Sequence, residues 1–165
     1  MAVPSGSRIA ASVLLPPALP IVTWPCPPPY DLRRTLESGQ AFRWRWDGDA
    51  AVCVVAGRVS RVRQEGSVLR AETADPAALR RFLVVDAPLR EIETALARDP
   101  VLRRVLPHTS GIAILRQEPW ECLVSYIISA FNNIPKIQQT IERLSRRFGR
   151  RLAGGAWVFP TPPRL

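Results

Sequence analysis

The chain is poor in the residues that build metal sites and nucleophilic catalytic centres. It has one histidine, His108, and three cysteines, Cys26, Cys53 and Cys122, which lie far apart and form no C-x-x-C pair. A zinc site needs several such ligands together and a disulfide framework needs an even set, so neither is expected, nor is a metal or other cofactor. Scattered cysteines of odd number fit a reducing compartment. His108 reads as a loop residue, and with no second imidazole the chain offers no convincing base for a serine or cysteine nucleophile. Lysine is nearly absent as well: Lys136 is the only one. The longest apolar run, residues 122–131, is broken by Ser125 and Ser129 and is too short to cross a bilayer, so no membrane partner is expected. Residues 1–29 contain no acidic residue and carry the clusters Pro16-Pro17 and Pro27-Pro28-Pro29, which favour an extended, solvated backbone. A disordered proline-rich tail is expected there, and its apolar part, residues 9–15, follows a single arginine in a weak targeting pattern.

What is abundant is positive charge. Lysine and arginine number 23 against 14 acidic residues, giving a formal charge of +9 and a pI near 11.1. Such a surface attracts polyanions whatever its fold. Every basic residue except Lys136 is arginine, a bias that genomic base composition also produces, so charge alone divides evenly between nucleic-acid binding and a solvated surface. A hydrophobic share of 47% is enough for a core, and the length suits one domain, or one and part of another.

Order is expected from Tyr30. The alternation Phe42-Arg43-Trp44-Arg45-Trp46 has the period of a half-buried strand, Asp47-Gly48 marks a tight turn, and residues 52–56, 58–63 and 68–72 are β-rich segments separated by Gly57 and Gly66. These predict an antiparallel meander. After Asp75-Pro76 the periodicity becomes helical, through Leu79, Phe82 and Leu83, then Leu89, Ile92 and Leu96, then residues 101–106. The fold class is α+β, with no internal repeat. Residues 119–130 are apolar nearly all round and predict a central core helix, on which Glu121 is a surface or capping charge.

The segment richest in function is residues 111–149, two helices meeting at Phe131-Asn132-Asn133-Ile134-Pro135-Lys136. Asn133 is a good N-cap, and Pro135 falls in the first turn, where a missing N–H costs nothing. Ile134, Ile137, Ile141, Leu144 and Phe148 form one apolar stripe that Gly149 can terminate. Lys136 sits near the helix start, where the macrodipole disfavours a cation unless an anion lies close by. A phosphate fits.

Together these residues carry a family resemblance. Asp31-Leu32, Ser38-Gly39-Gln40-Ala41-Phe42-Arg43-Trp44, the segment from Gly111 through Arg116-Gln117-Glu118-Pro119 to Glu121-Cys122-Leu123, Asn132-Asn133-Ile134 and Phe159-Pro160-Thr161 follow one another with their order and spacing intact. The chain, from Tyr30 to about Pro163, resembles the N-terminal half of the 8-oxoguanine DNA glycosylases of the helix-hairpin-helix superfamily. The resemblance implies a twisted, TATA-binding-protein-like antiparallel sheet with packed helices over residues 30–110. It also implies the first helices of an all-α catalytic domain over residues 111–165. The expected partner is double-stranded DNA containing oxidised guanine, met by a monomer that is intracellular and DNA-associated, in the nucleoid or cytoplasm of a bacterium or the nucleus of a eukaryote. The chemistry is extrusion of the damaged purine, attack of an amine on the sugar carbon, and elimination from the Schiff base.

Site residues follow from the same resemblance. Gly39 matches the glycine whose backbone carbonyl meets the hydrogen on N7 of the oxidised base, where ordinary guanine presents an acceptor. Read alone, Gly39 is a turn glycine before a strand. Phe131, Asn132 and Asn133 match the corner that enters the gap left by the flipped base, with Phe131 where the family's first asparagine stands, so an apolar wedge replaces an amide and opposite-base preference is relaxed. Read alone, Phe131 is a helix-end residue. Lys136 matches an arginine that contacts DNA, a fork exchanged for a point charge. No position matches the nucleophilic lysine or its assisting aspartate; both are expected downstream of Leu165, so the chain reads as a truncated, inactive part of a glycosylase and AP lyase. Rival readings are a non-catalytic DNA-binding module, an RNA-binding or protein-interaction domain, and a fragment of an alkylated-base glycosylase.

Overall fold

The computed structural model of the chain describes residues 19–164. Five strands make one antiparallel sheet: β1 (Ile21–Pro25), β2 (Trp44–Asp47), β3 (Ala50–Val55), β4 (Arg58–Glu65) and β5 (Val68–Thr73), in the order β1-β5-β4-β3-β2. The last four are the expected meander, joined by two-residue hairpin turns. At the turn between β3 and β4, Ala56 and Gly57 both take positive φ, which suits the twist of the flanking strands. Helix α1 (Leu32–Glu37) falls between β1 and β2. The helices α2 (Pro76–Leu83), α3 (Leu89–Leu96), α4 (Pro100–Thr109), α5 (Pro119–Ser129) and α6 (Ile134–Phe148) follow the sheet. The fold is α+β.

The caps are encoded in sequence. Asp31 accepts a hydrogen bond from the Arg34 N–H, Asp75 from Ala78, Glu118 from Glu121 and Asn133 from Lys136, each satisfying an N–H that the helix leaves unpaired. One sheet face, through Ala51, Cys53, Val62, Leu69 and Ala71, packs on Leu32, Leu36, Leu79 and Leu83 to form the main core. On the other face Val52 and Val59 meet Ala156. A third cluster, Ile137, Ile141 and Phe159, joins α6 to Trp120, Val124 and Ile128 of α5 and also receives Phe42.

Four expectations need correction. The tail expected over residues 1–29 is not disordered throughout: β1 pairs with β5 from Ile21 opposite Glu72 to Pro25 opposite Val68, and Trp24 and Cys26 are buried. Ile21-Val22-Thr23-Trp24 is a run of good strand formers, and an edge strand tolerates proline at its end because only one side of its backbone must pair. Residues 1–18, with the weak targeting pattern, lie outside the described residues. His108 is in the last turn of α4, not in a loop, because the helix carries Pro107 through its end instead of stopping before it.

Helix α5 is not a central core helix. Trp120, Val124 and Ile128, four residues apart, face α6, while Leu123, Tyr126 and Ile127 are exposed, Tyr126 to 76%. Apolar composition all round measures what a helix could bury, and no element among the described residues covers its second face. Lastly, the alternation through Phe42, Trp44 and Trp46 does not run along one strand. β2 begins at Trp44, and Phe42 turns away to the α5–α6 cluster.

Gly149 does end α6, but without the left-handed φ typical of glycine caps. Glycine is required there because a Cβ would collide with the carbonyl oxygens of Val158 and Ser145. If β1 is an integral strand, Trp24→Ala leaves a large void and lowers unfolding free energy by about 3 kcal/mol in urea denaturation. A stability equal to the parent's would show that β1 contributes nothing.

Candidate nucleic-acid interface

The loop after α1 and the α5–α6 corner, more than ninety positions apart in sequence, meet in space. Gly39 has φ +81, a conformation L side chains rarely adopt, and a Cβ built on it would lie 3.9 Å from Cδ1 of Ile134, the first residue of α6. Gly39 is therefore held by its backbone conformation and not by crowding. The loop is pinned on both sides. Ser38 Oγ donates to the Thr35 carbonyl at 2.7 Å. The Gln40 side chain bridges to the extended segment before α5, donating to the Ala113 carbonyl at 2.9 Å and accepting from the Leu115 N–H at 2.9 Å. One amide thus does the work of a neighbouring strand's peptide group. Thr35 adds a second tie, accepting from the Ala113 N–H at 3.1 Å.

Arg43 fixes the next joint. Its Nη1 donates to Glu121 Oε2 at 2.9 Å, its Nη2 donates to the Trp157 carbonyl, and its guanidinium lies 5.9 Å from the centre of the Phe159 ring. The Arg43 and Glu121 side chains keep only 11% and 24% of their exposure, so Glu121 is no surface charge. Burial pushes its carboxyl above the usual range, and Arg43 pulls it back. The two buried cysteines supply no nucleophile: burial pushes the Cys53 thiol up to about 12 and raises Cys26 also.

At the corner itself Phe131 is fully exposed and takes φ +58. A left-handed conformation costs a non-glycine residue about 1–2 kcal/mol. Asn132 supports it by donating from Nδ2 to the Ile128 carbonyl at 2.7 Å, and Asn133 Oδ1 accepts the Lys136 N–H at 3.0 Å. Both asparagines therefore brace the corner with part of their amides, a role that their spacing alone did not separate from contact with a partner. Lys136 is exposed, and among the described residues it has no carboxylate partner. Of the residues singled out in the sequence, Phe131, Asn132, Asn133 and Lys136 lie together on the exposed corner, and Gly39 approaches that corner at Ile134. Sequence reasoning passed over Gln40 and Arg43 as functional supports. Their presence inside the motif was visible, but their partners lie 73 or more positions away.

A five-stranded antiparallel sheet followed by packed helices is the architecture this chain shares with solved DNA glycosylases. A solved structure of MBOgg1 in complex with a low-affinity DNA ligand matches 88% of this chain and 53% of its own, with 33% identity and a TM-score of 0.81. The Clostridium acetobutylicum 8-oxoguanine glycosylase/lyase, in complex with double-stranded DNA containing cytosine opposite 8-oxoG, matches 82% of this chain and 50% of its own, with 29% identity and a TM-score of 0.77. The Saccharomyces cerevisiae N-glycosylase/DNA lyase is 29% identical over 81% of this chain and 42% of the yeast protein. The sequence profile of the 8-oxoguanine DNA glycosylase N-terminal domain matches residues 27–123, and the chain belongs to that family. It spans about half the length of the relatives it matches.

Three substitutions test this architecture. Gly39→Ala, with open space for its Cβ, costs about 1–2 kcal/mol from backbone conformation alone. Arg43→Ala strands the Glu121 carboxylate and costs about 3 kcal/mol, and Arg43→Lys recovers only part because a point charge cannot serve both Glu121 and the Trp157 carbonyl. Thermal or urea unfolding of the three variants reads both effects, and a fully stable Arg43→Ala would show that the joint is unimportant.

Proposed function

We propose that the chain is the lesion-reading and duplex-gripping part of a base-excision repair protein that removes oxidised guanine from double-stranded DNA. The observation that carries this reading is the contact between Gly39 and Ile134. It sets a backbone that can approach a base without a side chain in the way beside a corner that can enter the duplex. In this reading the Gly39 carbonyl faces the extruded base and favours the purine whose N7 carries hydrogen. Phe131, Asn132 and Asn133 occupy the gap, and the Lys136 side chain meets a phosphate. The domain division near residue 110 follows the same logic, the sheet side reading the base and the helical side holding the backbone. The protein works wherever its DNA is, as a monomer.

Glycosylase and AP-lyase chemistry needs an amine that attacks the sugar carbon. Lys136 is the only lysine, and its exposed place on the corner, with no carboxylate beside it, suits phosphate attraction and not attack. Excision by the whole repair protein therefore draws its nucleophile from outside these 165 residues.

Binding of the chain to duplex DNA weakens steeply with salt, and Lys136→Ala lowers affinity similarly for unrelated sequences while reducing the log–log salt slope by about one. An unchanged slope would remove Lys136 from the phosphate contacts. The purified 165-residue chain releases no 8-oxoguanine and gives no borohydride-trapped complex with abasic DNA beyond that of its terminal amine. Trapping that Lys136→Arg abolishes would make Lys136 the nucleophile instead.

A further inference from the structure

We propose that the cavity between the sheet, α2 and the run leading into α5 binds a small aromatic monoanion, one ring carrying a carboxylate. The inference is independent of the DNA-binding reading, because no residue of the corner at 131–136 lines this cavity.

The cavity exists because three parts of the chain meet without filling the space between them. Trp44, Val54 and Val55 form a wall on β2 and β3, Ala78 and Phe82 a second on α2, and Pro119 belongs to the third. Each wall is tied to a neighbour. The Arg116 N–H donates to the Phe82 carbonyl at 3.1 Å and holds the run to the end of α2. Arg43 donates to Glu121 at 2.9 Å and joins the sheet to α5, while the Trp44 indole N–H is spent on the Ala41 carbonyl at 3.0 Å. Walls fixed in this way give a site that is largely pre-formed. Its volume is about 240 Å³. Sites for drug-sized ligands run to roughly 300–1,000 Å³, and about 150 Å³ is enough for benzene, so this one suits a single ring with a short substituent. Trp44 and Phe82 offer aromatic partners to that ring.

The polar groups set the charge of the ligand. Three arginines, Arg43, Arg81 and Arg116, line the cavity against two carboxylates, Glu118 and Glu121, an excess of one positive charge. Arg43 is spent on Glu121, and Glu118 accepts the Glu121 N–H at 2.7 Å as the cap of α5. Arg81 and Arg116 are exposed, and among the described residues neither side chain has a hydrogen bond or an ion pair, whereas the adjacent Arg80 pairs with Asp86 at 2.6 Å. Arg81 lies in the last turn of α2, where the carbonyl end of the helix favours a cation. Arg116 lies outside any helix or strand and has no such neighbour. A planar guanidinium at the open side of an apolar cavity can hold a carboxylate by two parallel hydrogen bonds, so Arg116 is the group on which the anion is expected to rest.

The test titrates the ¹⁵N-labelled 165-residue chain with phenylacetate and follows backbone amide and indole resonances by NMR, the Trp44 indole being assigned with Trp44→Phe. Saturable shifts centred on Phe82, Arg116 and the Trp44 indole are expected, with a Kd of about 1 mM. Phenylacetamide, nearly the same shape without the charge, binds about tenfold more weakly, and cyclohexylacetate about fivefold more weakly. Arg116→Gln removes an exposed side chain that has no partner, so it keeps the fold and weakens phenylacetate by about tenfold. Ala78→Leu fills the cavity and abolishes binding. Shifts that do not saturate, shifts confined to residues outside the lining, equal binding of phenylacetate and phenylacetamide, or parent-like affinity in Arg116→Gln overturns the site and leaves the DNA reading standing.

Discussion

The guanidinium of Arg43 is the joint on which the arrangement depends. It leaves the chain one residue before β2, reaches Glu121 on α5, and donates to the Trp157 carbonyl in the segment after α6. Three parts of the chain therefore share one planar group. Removing two charges from water is costly, and a pair this sheltered persists only when its geometry is good and its other donors are used, which the bond to Trp157 achieves. The pair is better understood as fixing position than as adding stability. It sets where the sheet stands relative to α5, and so where the loop at Gly39 stands relative to Ile134.

The ties around that joint are polar and long-range. Gln40 bridges to residues 113 and 115, and Thr35 receives the Ala113 N–H. Each satisfies backbone groups of a segment that has no strand partner, so the extended run leading into α5 is fixed without belonging to the sheet. The result is a firm sheet side and a firm helical side joined by a few defined hydrogen bonds. Left-handed backbone recurs along this seam, at Gly39, at Gly111 and at the corner residue Phe131. At Gly39 the residue type removes the cost. At Phe131 it does not.

Membership of the 8-oxoguanine DNA glycosylase family gives the seam its meaning, because relatives of the same architecture are solved with DNA. Its corner presents the exposed Phe131 ring between asparagines whose amides brace the backbone.

The sequence alone determined the α+β class, the hairpins of the meander, the helical start after Asp75-Pro76, the N-cap at Asn133 and the end of α6 at Gly149. All are local, set by turn chemistry, capping and periodicity within a few residues. The same local rules misjudged β1, where proline content outweighed four good strand formers, and α5, where composition could not say which face would be covered. They also could not pair Arg43 with Glu121, Gln40 with Ala113, or Gly39 with Ile134. Those contacts exist only after the sheet and the helical corner have packed. Side-chain reach across a fold leaves no period in the sequence, so tertiary structure alone decided that a glycine and a helix start nearly a hundred positions apart would come together.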